Sequence, residues 1–232
     1  MSGFVFAPPA VPGVPVRGEA ALYPVRRIFC VGRNYAAHAA EMGVEADREA
    51  PFYFTKTPAA LVASGTTMPY PPGTANFHHE MELVVALGAP VFRASAEEAA
   101  AAVYGFACGL DMTRRDLQDV AKEKRRPWDL GKDFESAAVI AEIAPAAALA
   151  PVGPQRIALS VNGTVRQQAR LSDMIHGVGE IVRHLSGYYH LGPGDLIYTG
   201  TPAGVGAVSP GDRLEGTIDG LAPVRLVIGP AE

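Results

Sequence analysis

The chain has 232 residues, 48% of them hydrophobic and 19% charged, which describes a globular protein with a sizeable core and excludes an intrinsically disordered one. A net charge of −4 gives no electrostatic footprint for nucleic acid or for an anionic membrane surface. The longest apolar stretch, around Ala137 to Val152, is broken by Glu142, Pro145 and Pro151, short of the roughly 20 clean residues of a membrane span.

Pro8, Pro9, Pro12 and Pro15 stand where a signal peptide would carry a basic start and an apolar run, so a cytoplasmic location is expected by elimination. Cys30 and Cys108 lie far apart, each inside an apolar run, and read as two reduced core thiols.

Residues 1–24 form a Pro-rich arm without periodicity, expected to hold a strand or two, and 25–232 read as one catalytic domain. Arg26 to Gly32 is a buried-strand pattern leading into an Ala-rich helix over 34–43, with Gly43 at its stop. Residues 44–50 read as a loop, and a strand follows over Phe52 to Lys56. His78 to Gly88 comes next, its second half an unbroken run of apolar and β-branched residues ended by a glycine. A surface helix is expected over Ala96 to Ala102 and a strand from Tyr104 to Leu110, ending at Asp111. Thr113 and Asp116 have the spacing of a capping box, which predicts a helix running on towards Lys122. After Trp128 short strands are expected at 137–143, 156–162, 195–199, 212–218 and 223–228, interrupted by one long helix over Leu171 to Leu185. Many short strands with few helices predict an α+β, mainly β fold and not a doubly wound parallel sheet.

The chemistry gathers around three carboxylates. Strand side chains alternate faces, so Glu80 and Glu82 project to the same side. Two like charges beside an apolar run need a raised pKa or a cation between them. Asp111, at a strand end ahead of a helix, is the third candidate oxygen ligand. Three carboxylates suit Mg²⁺, Mn²⁺ or Ca²⁺ rather than zinc, and leave about half of an octahedral shell for water and substrate. Taken alone, an acid-x-acid pair is a weak signal, and an exposed strand edge with Asp111 merely capping a helix is the preferred reading of it.

On the helix after Asp111, Arg115, Gln118 and Lys122 would share one face, where a cation and an amide could hold an anionic substrate. For Lys122, with Arg114, Lys124, Arg125 and Arg126, a solvated basic face is the preferred reading. His38 and Glu41, at i and i+3, suit a general base oriented by a carboxylate, although a histidine on an Ala-rich helix is more often a surface residue. His78 and His79 are alternative ligands for a different kind of site. Lys132 is an isolated basic residue beside apolar chain. Thr199 to Gly206 is a glycine-dense turn whose amides could form an anion nest, and it lacks both the P-loop and the dinucleotide pattern.

With these pieces together, the chain from about residue 26 resembles the fumarylacetoacetate hydrolase family. The matching runs are Val31 to His38, His79 to Leu83, Gly109 to Gln118, Gly131 to Phe134 and Gly194 to Gly206, five collinear motifs. Within the family, Gly109 to Gln118 and Arg126 to Phe134 look most like the acylpyruvate hydrolases, the fumarylpyruvate hydrolases of gentisate breakdown among them. The resemblance implies a mixed β-roll with a few flanking helices, usually as a homodimer. It implies that Glu80, Glu82 and Asp111 ligate Mg²⁺ or Mn²⁺ and that His38 and Glu41 activate water on a segment that orders over substrate. Lys132 would assist the chemistry, while Arg33, Tyr35, Lys56, Arg115, Gln118 and Thr201 would bind substrate. The chain departs from many relatives at Lys56-Thr57-Pro58, where they have Lys-Pro, and at His176, where they have tryptophan.

The activity so implied is hydrolysis of a carbon–carbon bond in an acylpyruvate, foremost 3-fumarylpyruvate and water to fumarate and pyruvate. The rivals are a decarboxylase or isomerase of a 2-oxo dicarboxylate, and a non-catalytic ligand-binding relative. The expected partner is a small 2-oxo acid, with neither nucleic acid nor membrane.

Overall fold

A computed structural model describes residues 3–41, 49–149 and 151–231. The chain is mainly β, built on two mixed sheets. The larger one centres on the antiparallel pair Met81–Leu87 and Val103–Asp111, in register from Met81 opposite Leu110 to Ala86 opposite Gly105, with a shift before Leu87 pairs with Val103. Beside Met81–Leu87 lies Asp195–Tyr198, which runs parallel to Arg27–Gly32, itself paired with Phe52–Lys56. On the other flank Ala138–Ile140 joins Val103–Asp111 to the short strand Leu61–Ala63. The second sheet runs Thr164–Arg170, Arg156–Val161, Arg213–Ile218, Val224–Ala231 and Thr66–Tyr70.

The core sits where the sheets face each other. Every residue of Met81–Leu87 is buried, because this strand is covered on both sides. The sheets meet so closely at Gly216 that a Cβ there would stand 2.3 Å from the Met81 sulfur. Val14, Val16 and Tyr23, on and beside the hairpin of Gly13–Pro15 and Leu22–Pro24, join the same core. Cys30 and Cys108 are buried free thiols.

Several elements differ from expectation. The long helix over 171–185 is instead a 3-10 turn, Leu171–Asp173, an extended link, and the helix Val178–Ser186. The link is pinned by Asn34, whose side chain donates to His176 O at 2.9 Å and accepts from His176 N at 2.8 Å. A tertiary clamp has overridden local helix propensity. Thr113 does not cap a helix: Arg115–Glu123 begins after it, and Asp116 instead accepts from Thr74 Oγ1 and Ala75 N. A capping box occurs at Ser95 and Glu98, ahead of Ala96–Ala101. The helix over 34–43 is observed as Ala36–Glu41; its stop at Gly43 and most of the loop at 44–50 lie outside the described residues. The structure adds the strands Thr66–Tyr70 and Thr164–Arg170 and the short helix Asp129–Lys132, which the sequence pattern does not predict.

Candidate active site

The mouth of Met81–Leu87 brings the three carboxylates together. Oxygens of Glu80, Glu82 and Asp111 all lie within 4.8 Å of one another, and all three residues are buried. The ladder explains the meeting: Glu82 stands opposite Gly109 and Met81 opposite Leu110, so Asp111 falls level with Glu80, and its N–H donates to Glu80 O at 2.9 Å.

Three cations press against this cluster. Lys132 Nζ reaches Asp111 Oδ2 at 2.7 Å, Glu80 Oε2 at 2.8 Å and Thr113 Oγ1 at 2.7 Å, which uses all three ammonium protons. The Arg115 guanidinium donates to Glu80 Oε1 and to Gln118 Oε1. Lys56 Nζ lies 2.8 Å from Asp111 Oδ1 and donates to the carbonyls of Met112 and Lys132.

The charges are shared unequally. Burial would raise the Glu80 carboxyl, but Lys132 and Arg115 hold it well below the usual carboxylate range. Glu82 goes the other way, pushed well above that range by burial and by the neighbouring Asp111 and Glu80 carboxylates. Burial lowers the Lys132 ammonium, and Asp111 and Glu80 more than offset it, so its pKa rises. Glu82 does accept one strong bond, from Gly200 N at 2.7 Å.

This donor set fits a hard divalent cation. It consists of oxygens alone, and Asp111 Oδ1 is buried and accepts no hydrogen bond although Lys56 is near. Glu82 remains a buried acid with too little compensating charge.

His38 lines the same cleft as Glu80 and Glu82, and Glu41 stands beside it. His38 Nδ1 and Glu41 Oε2 are 3.1 Å apart, and Glu41 also accepts from Gly204 N at 3.1 and 3.2 Å. The glycine-dense turn is therefore a nest for two side-chain carboxylates: Gly200 serves Glu82 and Gly204 serves Glu41. Positive φ angles of 97° and 94° aim these amides inward, a conformation that favours glycine.

The cleft is lined by His38, Glu80, Glu82, Arg115, Gln118, Lys132, Thr201 and Arg33, with Val31, Gly32, Phe52, Phe54, Trp128 and Lys122. Two residues expected to touch substrate stand elsewhere. Lys56 is buried behind Asp111, and Tyr35 is buried with its hydroxyl unpartnered, its pKa raised by burial and by Glu82. Lys122 departs in the other direction: it belongs to the cleft wall, not to a solvated face. Thr201 is on the wall, but its hydroxyl already donates to Met81 O and accepts from Gln167 Nε2.

His78 and His79 are not part of the carboxylate cluster, whose members are Glu80, Glu82 and Asp111. His78 pairs with Asn76 and has its pKa pushed down to about 4 by burial and by Arg115. His79 pairs with Gln167, and burial lowers it too. Gln167 also accepts from Met81 N and donates to Pro202 O, tying the carboxylate strand to the glycine turn. Nothing in its sequence neighbourhood signals that role. Phe52, Phe54 and Trp128 were legible as apolar residues but not as cleft wall.

Comparison with known proteins supplies the context. Residues 27–228 match the fumarylacetoacetate hydrolase C-terminal family. The chain is 54% identical over 193 residues to a fumarylpyruvate hydrolase of Ralstonia sp, which spans 82% of this chain and 100% of that protein. It is 39% identical over 208 residues to an oxaloacetate tautomerase of Escherichia coli, covering 89% and 94% of the two chains. The crystal structure of a fumarylpyruvate hydrolase from Pseudomonas aeruginosa in complex with Mn²⁺ and pyruvate superposes with a TM-score of 0.94. It shares 45% identity and covers 98% of this chain and 100% of its own.

Proposed function

The chain belongs to the fumarylacetoacetate hydrolase family, and from that premise we propose that it is a metal-dependent acylpyruvate hydrolase converting 3-fumarylpyruvate and water into fumarate and pyruvate. The observation that carries this reading is that Glu80 and Glu82, two members of a buried carboxylate triad, line one cleft with His38, a histidine oriented by a carboxylate.

A Mg²⁺ or Mn²⁺ ion held by Glu80, Glu82 and Asp111 would supply a Lewis acid for the 2-oxo acid end of the substrate and for enolate charge, worth several kcal/mol in such sites. Glu41 fixes the orientation of His38 by engaging Nδ1, which leaves Nε2 to take a proton from water. The hydroxide so formed attacks the distal ketone of the acyl arm. Collapse breaks the C–C bond, pyruvate leaves as its enolate, and the His38 proton returns to that carbon. Lys132 keeps a positive charge beside the departing enolate, while Arg115 and Gln118 position the substrate from the helix Arg115–Glu123. Lys56 places its charge beside Asp111 from behind the wall.

A spectrophotometric assay of fumarylpyruvate loss, with and without EDTA, tests the reading: turnover abolished by chelation and restored by Mn²⁺ supports it, and EDTA-insensitive turnover refutes it. The relatives that are oxaloacetate tautomerases keep a second reading alive, proton transfer on a 2-oxo dicarboxylate without an attacking water. His38→Ala separates the two, since hydrolysis should collapse while tautomerisation or decarboxylation can survive.

The same reading includes a role in aromatic-compound breakdown, a cytoplasmic location and a homodimer. No helix among the described residues is long and apolar enough to cross a membrane. Phe4, Phe6 and Val11, each at least 70% exposed, offer apolar surface for a second copy to cover. The N-terminal arm, 1–24, and the catalytic domain, 25–232, are its divisions. Size-exclusion chromatography with light scattering reads out the oligomeric state.

A further inference from the structure

Four cations line the cleft, and their partners divide them into two kinds. Lys132 and Arg115 are committed to the carboxylate cluster and to neutral acceptors beside it. Arg33 and Lys122 are not. Arg33 has no carboxylate partner among the described residues; its guanidinium stands 5.5 Å from the centre of the Phe52 ring. Lys122 makes one ion pair, 3.3 Å to an Asp119 whose side chain is 55% exposed, the kind of i,i+3 surface pair that contributes little. Its ammonium lies 5.7 Å from the Trp128 ring.

These residues form a row. Arg33 faces Phe52, the Phe52 and Trp128 rings meet edge to face at 5.6 Å, and Lys122 faces Trp128. The row makes a collar around the apolar part of the cleft with a cation at each end. The backbone of Arg33 is held at φ 56°, a region that non-glycine residues adopt at a cost and that tends to occur at functional positions.

The spacing matches a substrate with two charged ends. Arg115, which touches Glu80, and Lys122 are seven residues apart on one helix, a rise of roughly 10 Å. An acylpyruvate whose acyl group is a four-carbon diacid has six C–C bonds between its terminal carboxylate carbons. At ~1.5 Å per bond it spans roughly 7–8 Å when extended. With its 2-oxo acid end at the triad, its far carboxylate arrives at the collar.

We propose that Lys122, with Arg33, is the element that recognises the remote carboxylate of the acyl arm, so that the protein selects acylpyruvates ending in an anion over those ending in a methyl group. This rests on the acylpyruvate reading above and assigns its acyl subsite. The conjugated carbons between the two ends lie along Phe52 and Trp128, and no bond is made or broken at the collar.

The test compares fumarylpyruvate with acetylpyruvate in the Mn²⁺-loaded protein, for wild type, Lys122→Gln and Lys122→Arg. In Lys122→Gln the ratio of kcat/KM for fumarylpyruvate over acetylpyruvate should fall about tenfold to a hundredfold, mostly through KM, the range for removing a hydrogen bond to a charged group. Lys122→Arg should recover most of it. A ratio unmoved within about twofold, or an equal loss on both substrates, overturns the assignment. A second measurement is independent of turnover: calorimetric binding of fumarate and of crotonate, its methyl-ended analogue, to protein saturated with Mn²⁺ and pyruvate. Wild type should prefer fumarate and Lys122→Gln should lose that preference; a preference kept by the variant overturns the proposal. If wild type cleaves neither substrate, the function reading fails, and the binding measurement alone decides the collar.

Discussion

Glu82 sits on a seven-residue strand in which every residue is buried, whereas His38 sits on a six-residue helix in which only His38 and Ala39 are. The carboxylate wall is held by two strand ladders, a core beneath it and three cations. The helix of the dyad touches the glycine turn through Gly204 and Glu41, and Ala39 N is tied back to Tyr35 O. A metal site needs ligands that cannot relax apart when their charges repel, which only a packed scaffold supplies. A general base needs to be aimed, which one hydrogen bond from an anchored carboxylate achieves. The two regions should therefore respond separately to perturbation.

The largest effect is expected at the wall. Glu82→Ala should remove Mn²⁺ binding by calorimetry and lower turnover at least about a thousandfold; retained activity in a metal-free variant would sink the scheme. His38→Ala should cost about 10²–10⁴ in kcat while the Kd for Mn²⁺ moves less than about threefold. A joint loss of metal would show that the two regions are one unit.

The glycine turn sharpens the contrast, because it serves both regions from amides only four residues apart. A Cβ on Gly200 would stand 2.7 Å from Asn34 Cβ, and its N–H holds Glu82; a Cβ on Gly204 would stand 2.0 Å from Arg166 O, and its N–H holds Glu41. Either alanine should lower stability by about 1–3 kcal/mol, read as a drop in Tm. Gly200→Ala should weaken Mn²⁺ by about tenfold, whereas Gly204→Ala should lower kcat with little change in Kd. The reverse pattern would mean that the carboxylates do not depend on these amides.

The same division governs what the sequence discloses. The apolar run after Glu80 is legible because a strand buried on both faces leaves no polar positions, and with Glu82 and Asp111 it locates the wall. The dyad is legible only as a spacing. The extended link at 174–177 is not, because Asn34 holds it from 142 positions away and the helical pattern around it is real. Thr113 misleads for the same reason: its hydroxyl serves Lys132, a partner 19 positions on, rather than the helix that follows. Lys122 reads as solvated from its run of basic neighbours and is recovered only when Trp128 folds over against it. Long-range polar partners are what periodicity cannot encode.

The smallest expected effect is a dependence of stability on pH that belongs to the wall alone. Glu82 has its pKa raised in the folded protein, by burial and by Asp111 and Glu80, so the folded state binds that proton more tightly than the unfolded chain. Its stabilising contribution is present below the unfolded value of 4.5 and is lost as pH rises through the folded one. Glu80 has the opposite sign: its contribution is present above 4.5 and lost only at strongly acid pH, so it is constant where Glu82 changes. Lys132, raised from 10.5, changes only in strong base. His78 and His79, both lowered, oppose Glu82 below 6.5 and are neutral in both states above it. Subtracting the behaviour of Glu82→Gln isolates the one carboxyl. Without metal, the Tm of Glu82→Gln relative to wild type should climb as pH is raised from about 5 to about 8. In wild type the Tm increment given by saturating Mn²⁺ should grow over the same range, since the ion replaces that proton. A metal increment independent of pH would mean that Glu82 is already ionised without the ion, and that Lys132, Arg115 and Lys56 suffice to neutralise the wall.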